Sequence, residues 1–249
     1  PSVVHREIPL VMGKAELRDI AKGFGEAARN VKHAGLDGVE LHAAHSYLLG
    51  QVLSPTYNIR DDEYGGSVAN RCRLIVEVAQ EVRAQVGDDF TLGIRLSYEE
   101  FVGEAGITPE QADEQIEILA ATGCFDFFNI SRGAYHTLHM AIPPMDSPHG
   151  GYQEYAHRAR KIVGNRAKLF LVGRITNLHE AEAVLPALLD GRHHVEDQRV
   201  EALAAGAEDG AAGLGRHHAG SAHAASPTVT SHVREPSRRA EEGRVASAA

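Results

Sequence analysis

The feature that most constrains the fold is an alternation. Four short apolar segments end near Leu41, Arg95, Ile130 and Val172, and stretches of helical periodicity lie between them. Leu17, Ile20, Phe24, Ala27/Ala28 and Val31 recur at three- and four-residue steps, the mark of an amphipathic helix, with Gly35 as its stop. Gly38 to Leu41 then reads as a strand, and a polar loop runs from Ser54 to Gly66. Ser67 caps a second helix that carries Val68, Cys72, Ile75, Ala79, Val82 and Val86 on one face. Thr91 to Leu96 is the next strand. Thr108-Pro109 opens a third helix, closed by Gly123, and Phe125 to Ile130 is the third strand. A helix over Tyr152–Val163, a strand over Lys168–Val172 and a helix opened by the capping pair Asn177 and Glu180 complete the pattern. Short, largely apolar strands alternating with helices predict a parallel sheet covered by helices. The 249 residues match the roughly 250 of a (β/α)8 barrel.

Composition divides that length unevenly. All seven Tyr and all seven Phe precede residue 171. The 64 residues from Pro186 hold 15 Ala, 7 Gly, 7 Arg and 6 His, with four Leu and five Val as the only large aliphatics. Such a segment buries too little apolar surface to offset its ordering entropy. The expected organisation is a barrel-type domain over 1–185 and a low-complexity tail over 186–249. A coding frame lost near Leu185 would explain the tail, because GC-rich DNA read out of frame yields this composition. Sequencing the gene across that point tests it.

Other classes of function are disfavoured. A formal charge of −9 does not suit nucleic acid, which asks for a basic excess. No apolar run approaches the ~20 residues of a spanning helix, and no leader-like segment opens the chain, so a cytoplasmic location without membrane contact is expected. Cys72 and Cys124 lie far apart, which excludes from this sequence a disulfide framework, a Cys-type zinc site and a four-cysteine iron–sulfur site.

In such folds function gathers where the strands end. After the first strand stand His42, His45 and Tyr47. Arg95 ends the second, Asn129, Ser131, Arg132 and Gly133 the third, Gly173 and Arg174 the fourth. Any one of these alone is best read as a satisfied polar group. Together they suit recognition of a carbonyl or an anion. Two histidines three apart can converge on one oxygen, Tyr47 can supply one proton, and Arg95 can stabilise charge developing on a planar ring. Gly173 permits close backbone approach and Arg174 suits a phosphate. Metal binding is the rival use of His42 and His45. No carboxylate stands at helical spacing to complete such a site, and Glu40 is expected on the opposite face of its strand from His42.

The stretch from Asp37 through Leu41-His42-Ala43-Ala44-His45-Ser46-Tyr47 to Ser54-Pro55, followed by Asn58, Arg60, Asp62-Glu63-Tyr64-Gly65-Gly66-Ser67 and Asn70-Arg71, resembles the Old Yellow Enzyme family of FMN oxidoreductases. The similar branch contains NADH:flavin oxidoreductases, 2,4-dienoyl-CoA reductase and trimethylamine dehydrogenase. The resemblance continues through Gly93-Ile94-Arg95, Asn129-Ile130-Ser131 and Val172-Gly173-Arg174. It implies a (β/α)8 barrel with FMN at the C-terminal ends of the strands and NAD(P)H as reductant. His42 and His45 then hold the substrate oxygen, with His42 also beside the flavin. Tyr47 protonates the substrate carbon, Arg95 stands beside the flavin N1/C2 carbonyl, and Gly173 and Arg174 contribute to phosphate binding. The substrate is a small activated alkene such as an enoyl or dienoyl carbonyl compound. In the amine dehydrogenases a tyrosine replaces His42, although the string Ala44-His45-Ser46-Tyr47 is closer to that amine branch.

Only about four βα units are present, resembling strands 4 to 7 of the family barrel. Four units leave two unpaired sheet edges. The chain by itself is therefore expected to bind FMN poorly, and a truncated, non-catalytic fragment is one alternative. Another is a metal-dependent aldolase built on His42 and His45. Self-association into a homo-oligomer is a further expectation.

Overall fold

The computed structural model describes residues 10–188. The tail beyond Leu188, with its His193-His194 and His217-His218 pairs, lies outside the described residues. The elements run α1 (Lys14–His33), β1 (Gly38–Ala43), α2 (Leu48–Leu53), α3 (Val68–Val86), β2 (Thr91–Ser97), α4 (Pro109–Ala121), β3 (Phe127–Ser131), α5 (Leu138–Ala141), α6 (Gln153–Val163), β4 (Lys168–Leu171) and α7 (Leu178–Leu188). The four strands form one parallel sheet in the order β1-β2-β3-β4. This is the α/β arrangement expected from the alternation. Helix α7 continues past Leu185, where the composition changes, to Leu188. Among the described residues no helix is long and apolar enough to cross a membrane.

Strand alternation divides the sheet into two faces. Leu41, Ala43, Leu92, Ile94, Leu96, Phe128, Ile130 and Leu169 pack against the helices. The helices answer with Leu17, Ala21 and Ala28 of α1, Cys72, Ile75, Ala79 and Val82 of α3, Ile116 and Leu119 of α4, and Ala156, Ala159 and Val163 of α6. Burying each large side chain contributes about 1.5–3 kcal/mol, so this face holds most of the stability. Caps set the helix starts. The Ser67 hydroxyl accepts the Asn70 N–H at 3.2 Å, and the Thr108 hydroxyl accepts from Gln111 at 3.4 Å with Pro109 in the first turn.

The other face carries the polar chemistry, and register aligns it. His42 pairs with Arg95, and Arg95 with Asn129, so the three form one row across β1, β2 and β3. One step toward the strand starts lie Glu40, Gly93 and Phe127. This corrects the expectation for Glu40. Residues two apart on a strand share a face, and Glu40 therefore stands below His42, within reach of Asn129. The Phe127 ring lies over Gly93, where a Cβ would come within 2.0 Å of a ring carbon. Phe127 also stacks on Phe170 at 4.4 Å between centroids.

Candidate active site

His42 is the penultimate residue of β1, and the chain turns sharply just after that strand. His45 and Ser46 both adopt positive φ, 54° and 61°, a left-handed pair rare for residues with a side chain. The turn is clamped from β2. Ser97 Oγ accepts the His45 backbone N–H at 3.0 Å and donates to the Gly133 carbonyl at 2.7 Å. The His45 side chain is tied as well, with Nε2 at 2.8 Å from Ser131 Oγ. Tyr47 follows as N-cap of α2. The result is a string of rings: His45 to His42 at 5.3 Å, His42 to Tyr47 at 4.8 Å, and Tyr47 to Tyr135 at 5.4 Å between centroids.

Burial and the Arg95 charge together push both His42 and His45 down to about 4. Both rings are therefore neutral at pH 7, and each offers one N–H donor. For His45 to donate from Nδ1, Ser131 must donate to Nε2. Tyr47 is 47% exposed, so its side chain faces the open side of the site. Tyr135 is pushed up to about 12 by burial and by the Tyr47 hydroxyl group beside it, which keeps it a proton holder.

Two buried polar atoms in the central row lack partners among the described residues: Nε of Arg95 and Oδ1 of Asn129. Asn129 is oriented by Glu40, whose Oε2 accepts its Nδ2–H at 2.7 Å. Burial raises the Glu40 carboxyl above the usual carboxylate range, with Asn129 and Arg95 pulling the other way. One orphan donor beside one orphan acceptor suits a planar ligand edge that presents both a C=O and an N–H, as the pyrimidine edge of a flavin does.

The sheet thus brings together His42, His45, Tyr47 and Arg95. Gly173 and Arg174 stand beyond β4, at the other side of the sheet. The space beside Gly173 is filled by the Tyr152 ring, 2.7 Å from where a Cβ would sit. The Arg174 guanidinium donates to the carbonyl of Pro144 at 3.0 Å and to that of Ser147. Sequence reasoning missed Tyr135 and Glu40. The signal for Tyr135 was its place four residues beyond Ser131, in the loop that follows a strand end.

Other motif residues brace the loop that follows α2. Asn58 Nδ2 donates to the carbonyls of Val52 and Tyr64 at 2.7 and 2.8 Å. Arg60 pairs with Asp62 at 2.5 Å and reaches the Met12 carbonyl at 2.6 Å. The buried Arg71 guanidinium joins the Leu53 carbonyl at 2.7 Å, the Gly66 carbonyl and Gln111 Oε1 at 2.6 Å.

Residues 3–186 match the family described as NADH:flavin oxidoreductase / NADH oxidase. The multifunctional alkene reductase/demethylase OYE of Caballeronia cordobensis is 37% identical over 216 residues, covering 83% of this chain and 31% of that protein. A 2-naphthoyl-CoA reductase solved with 2-naphthoyl-CoA superposes with a TM-score of 0.67 at 30% identity, over 73% of this chain and 27% of the other. Histamine dehydrogenase from Rhizobium sp. 4-9 superposes at 0.63 with 27% identity, over 71% of this chain and 25% of the other. The chain spans less than a third of the length of each of the three.

Proposed function

The chain belongs to the NADH:flavin oxidoreductase / NADH oxidase family, of Old Yellow Enzyme type, and from that premise we propose that it forms four βα units of a (β/α)8 barrel in which NAD(P)H-derived reducing equivalents pass through FMN to an alkene conjugated to a carbonyl. The observation that carries this reading is the neutral His42–His45 pair beside the exposed Tyr47 ring. FMN, when bound, supplies the hydride. Arg95 and Asn129 would hold the pyrimidine edge, their orphan donor and acceptor being satisfied by it. For Gly173 and Arg174 to serve its phosphate, the Tyr152 ring and the bonds from Arg174 to the Pro144 and Ser147 carbonyls would have to give way. His42 and His45 donate to the substrate carbonyl oxygen and so draw charge away from the double bond. Two neutral rings favour that oxygen without adding a cation next to Arg95. Tyr47 delivers the proton to the α-carbon.

A second reading, an amine dehydrogenase-like flavoenzyme, draws on the Ala44-His45-Ser46-Tyr47 string and on the histamine dehydrogenase likeness. Anaerobic incubation of the chain with excess FMN, NADPH and cinnamaldehyde, or with excess oxidised FMN and a secondary amine without NADPH, separates the two. The proposal expects enal reduction that depends on FMN and falls roughly 100-fold in Tyr47→Phe, the scale of one general acid. Amine oxidation without enal reduction would favour the second reading. A chain that takes up no FMN and turns over neither substrate would instead be a non-catalytic piece of such an enzyme.

A further inference from the structure

Tyr135 is the residue of this site that neither the motif nor the reaction requires, yet the fold holds it firmly against Tyr47. It opens the short turn Tyr135–Thr137 that follows β3. That turn is fixed at several points. Gly133 takes a φ of 81°, and a Cβ there would meet the Ala141 nitrogen at 2.5 Å. The Gly133 N–H donates to the Glu99 carbonyl at 2.7 Å, and the Thr137 hydroxyl donates to the Glu100 carbonyl at 2.9 Å. Most telling, the Tyr135 backbone N–H donates to Ser46 Oγ at 3.2 Å. Ser46 is the residue before Tyr47, is only 3% exposed, and also accepts from Tyr57 Oη at 3.1 Å. One buried hydroxyl therefore sets the spacing of the two tyrosines, whose rings meet at 5.4 Å and 58°.

We propose that Tyr135 is a positioning residue for the proton carried by Tyr47: its hydroxyl donates to the Tyr47 oxygen, aims it, and stabilises the phenolate left when that proton departs. The inference rests on the reading of Tyr47 as the proton donor. In the step concerned, the Tyr47 O–H bond breaks and its proton forms the new C–H bond at the α-carbon while hydride adds at the β-carbon. Both electrons of the O–H bond stay on the Tyr47 oxygen, and water later returns the proton. Tyr135 keeps its own proton throughout, because burial and the neighbouring Tyr47 both favour the neutral form. It is thus a donor at neutral pH and never a competing acid.

Two measurements on the full chain test this. In the first, each tyrosine is followed by 13Cζ NMR through an alkaline titration. Tyr47→Phe removes the partner that raises Tyr135, so the Tyr135 midpoint falls; an unmoved midpoint overturns the pairing. In the second, single-turnover reduction of cinnamaldehyde is followed with saturating FMN in H2O and D2O. Tyr135→Phe slows it about tenfold, the rate equivalent of one hydrogen bond to a charged oxygen, and enlarges the solvent isotope effect because proton delivery becomes slower. An unchanged rate, or a slower rate with an unchanged isotope effect, overturns the role. If the unsubstituted chain reduces no enal, the reading of Tyr47 fails, while the titration still decides whether the two hydroxyls are paired.

Discussion

Acid should weaken this fold through His42 and His45. Both are held at about 4, against 6.5 for an ordinary histidine. Between those values the unfolded chain binds protons that the folded chain refuses. Stability therefore rises with pH across this window and is lost as pH falls from about 6.5 toward 4. A displacement of that size corresponds to about 3 kcal/mol for one ring. Both rings keep some solvent contact, so the pair together should lose about 2 kcal/mol between pH 7 and pH 5, less than two full displacements would give. Glu40 works in the opposite sense, because its raised carboxyl favours the folded state as pH falls. Asp62 and Glu180, both held at about 2, lose their contribution only at lower pH, as pH falls from the ordinary carboxylate range toward 2. Urea unfolding at pH 7, 6 and 5 should show the loss in the natural chain and a much flatter profile in the His42→Asn/His45→Asn double variant. Equal slopes in the two proteins would refute the argument that these rings are held neutral by burial and by Arg95.

Other perturbations have sharp outcomes. Gly93→Ala must displace the Phe127 ring from its stack on Phe170, at a cost of about 1–3 kcal/mol visible in the urea midpoint. Arg71→Met strips hydrogen bonds from the Leu53 and Gly66 carbonyls and should destabilise by about 3 kcal/mol, measured by circular dichroism against temperature. If four βα units hold the flavin poorly, the chain desalted after incubation with FMN should emerge nearly colourless; stoichiometric yellow protein would refute that expectation.

The architecture was legible because local signals agreed with it. Ser67 and Thr108 cap the helices they announce. The predicted strands lie within a residue or two of β1 to β4, apart from their frayed ends. The Asn177–Glu180 pair does open α7, with a difference in wiring. Asn177 Oδ1 accepts the Glu180 N–H at 3.0 Å, while the Glu180 carboxylate turns back to the Thr176 N–H at 2.7 Å. Helix α2 escaped notice because Leu48–Leu53 is too short to show a period and follows directly on the His45–Ser46 turn. Within the site, His42, His45, Tyr47 and Arg95 could be named from their places at strand ends. The contact of Tyr135 with Tyr47 and the link from Glu40 to Asn129 could not. They depend on register across β1, β2 and β3 and on a loop whose path is set by Gly133, and neither can be read from neighbours in sequence.

The left-handed pair at His45 and Ser46 has a consequence for how this protein can change over time. Each such residue carries on the order of 1 kcal/mol or more of backbone strain, which glycine would relieve. Glycine at 45 would leave no ring to meet a carbonyl, and at 46 no hydroxyl between the two tyrosines. Relieving the strain with glycine would therefore cost activity, and it would also give up the hydrogen bonds from His45 to Ser131 and from Tyr57 and Tyr135 to Ser46, so neither position offers an easy gain in heat resistance. Selection for turnover should keep the strain in place.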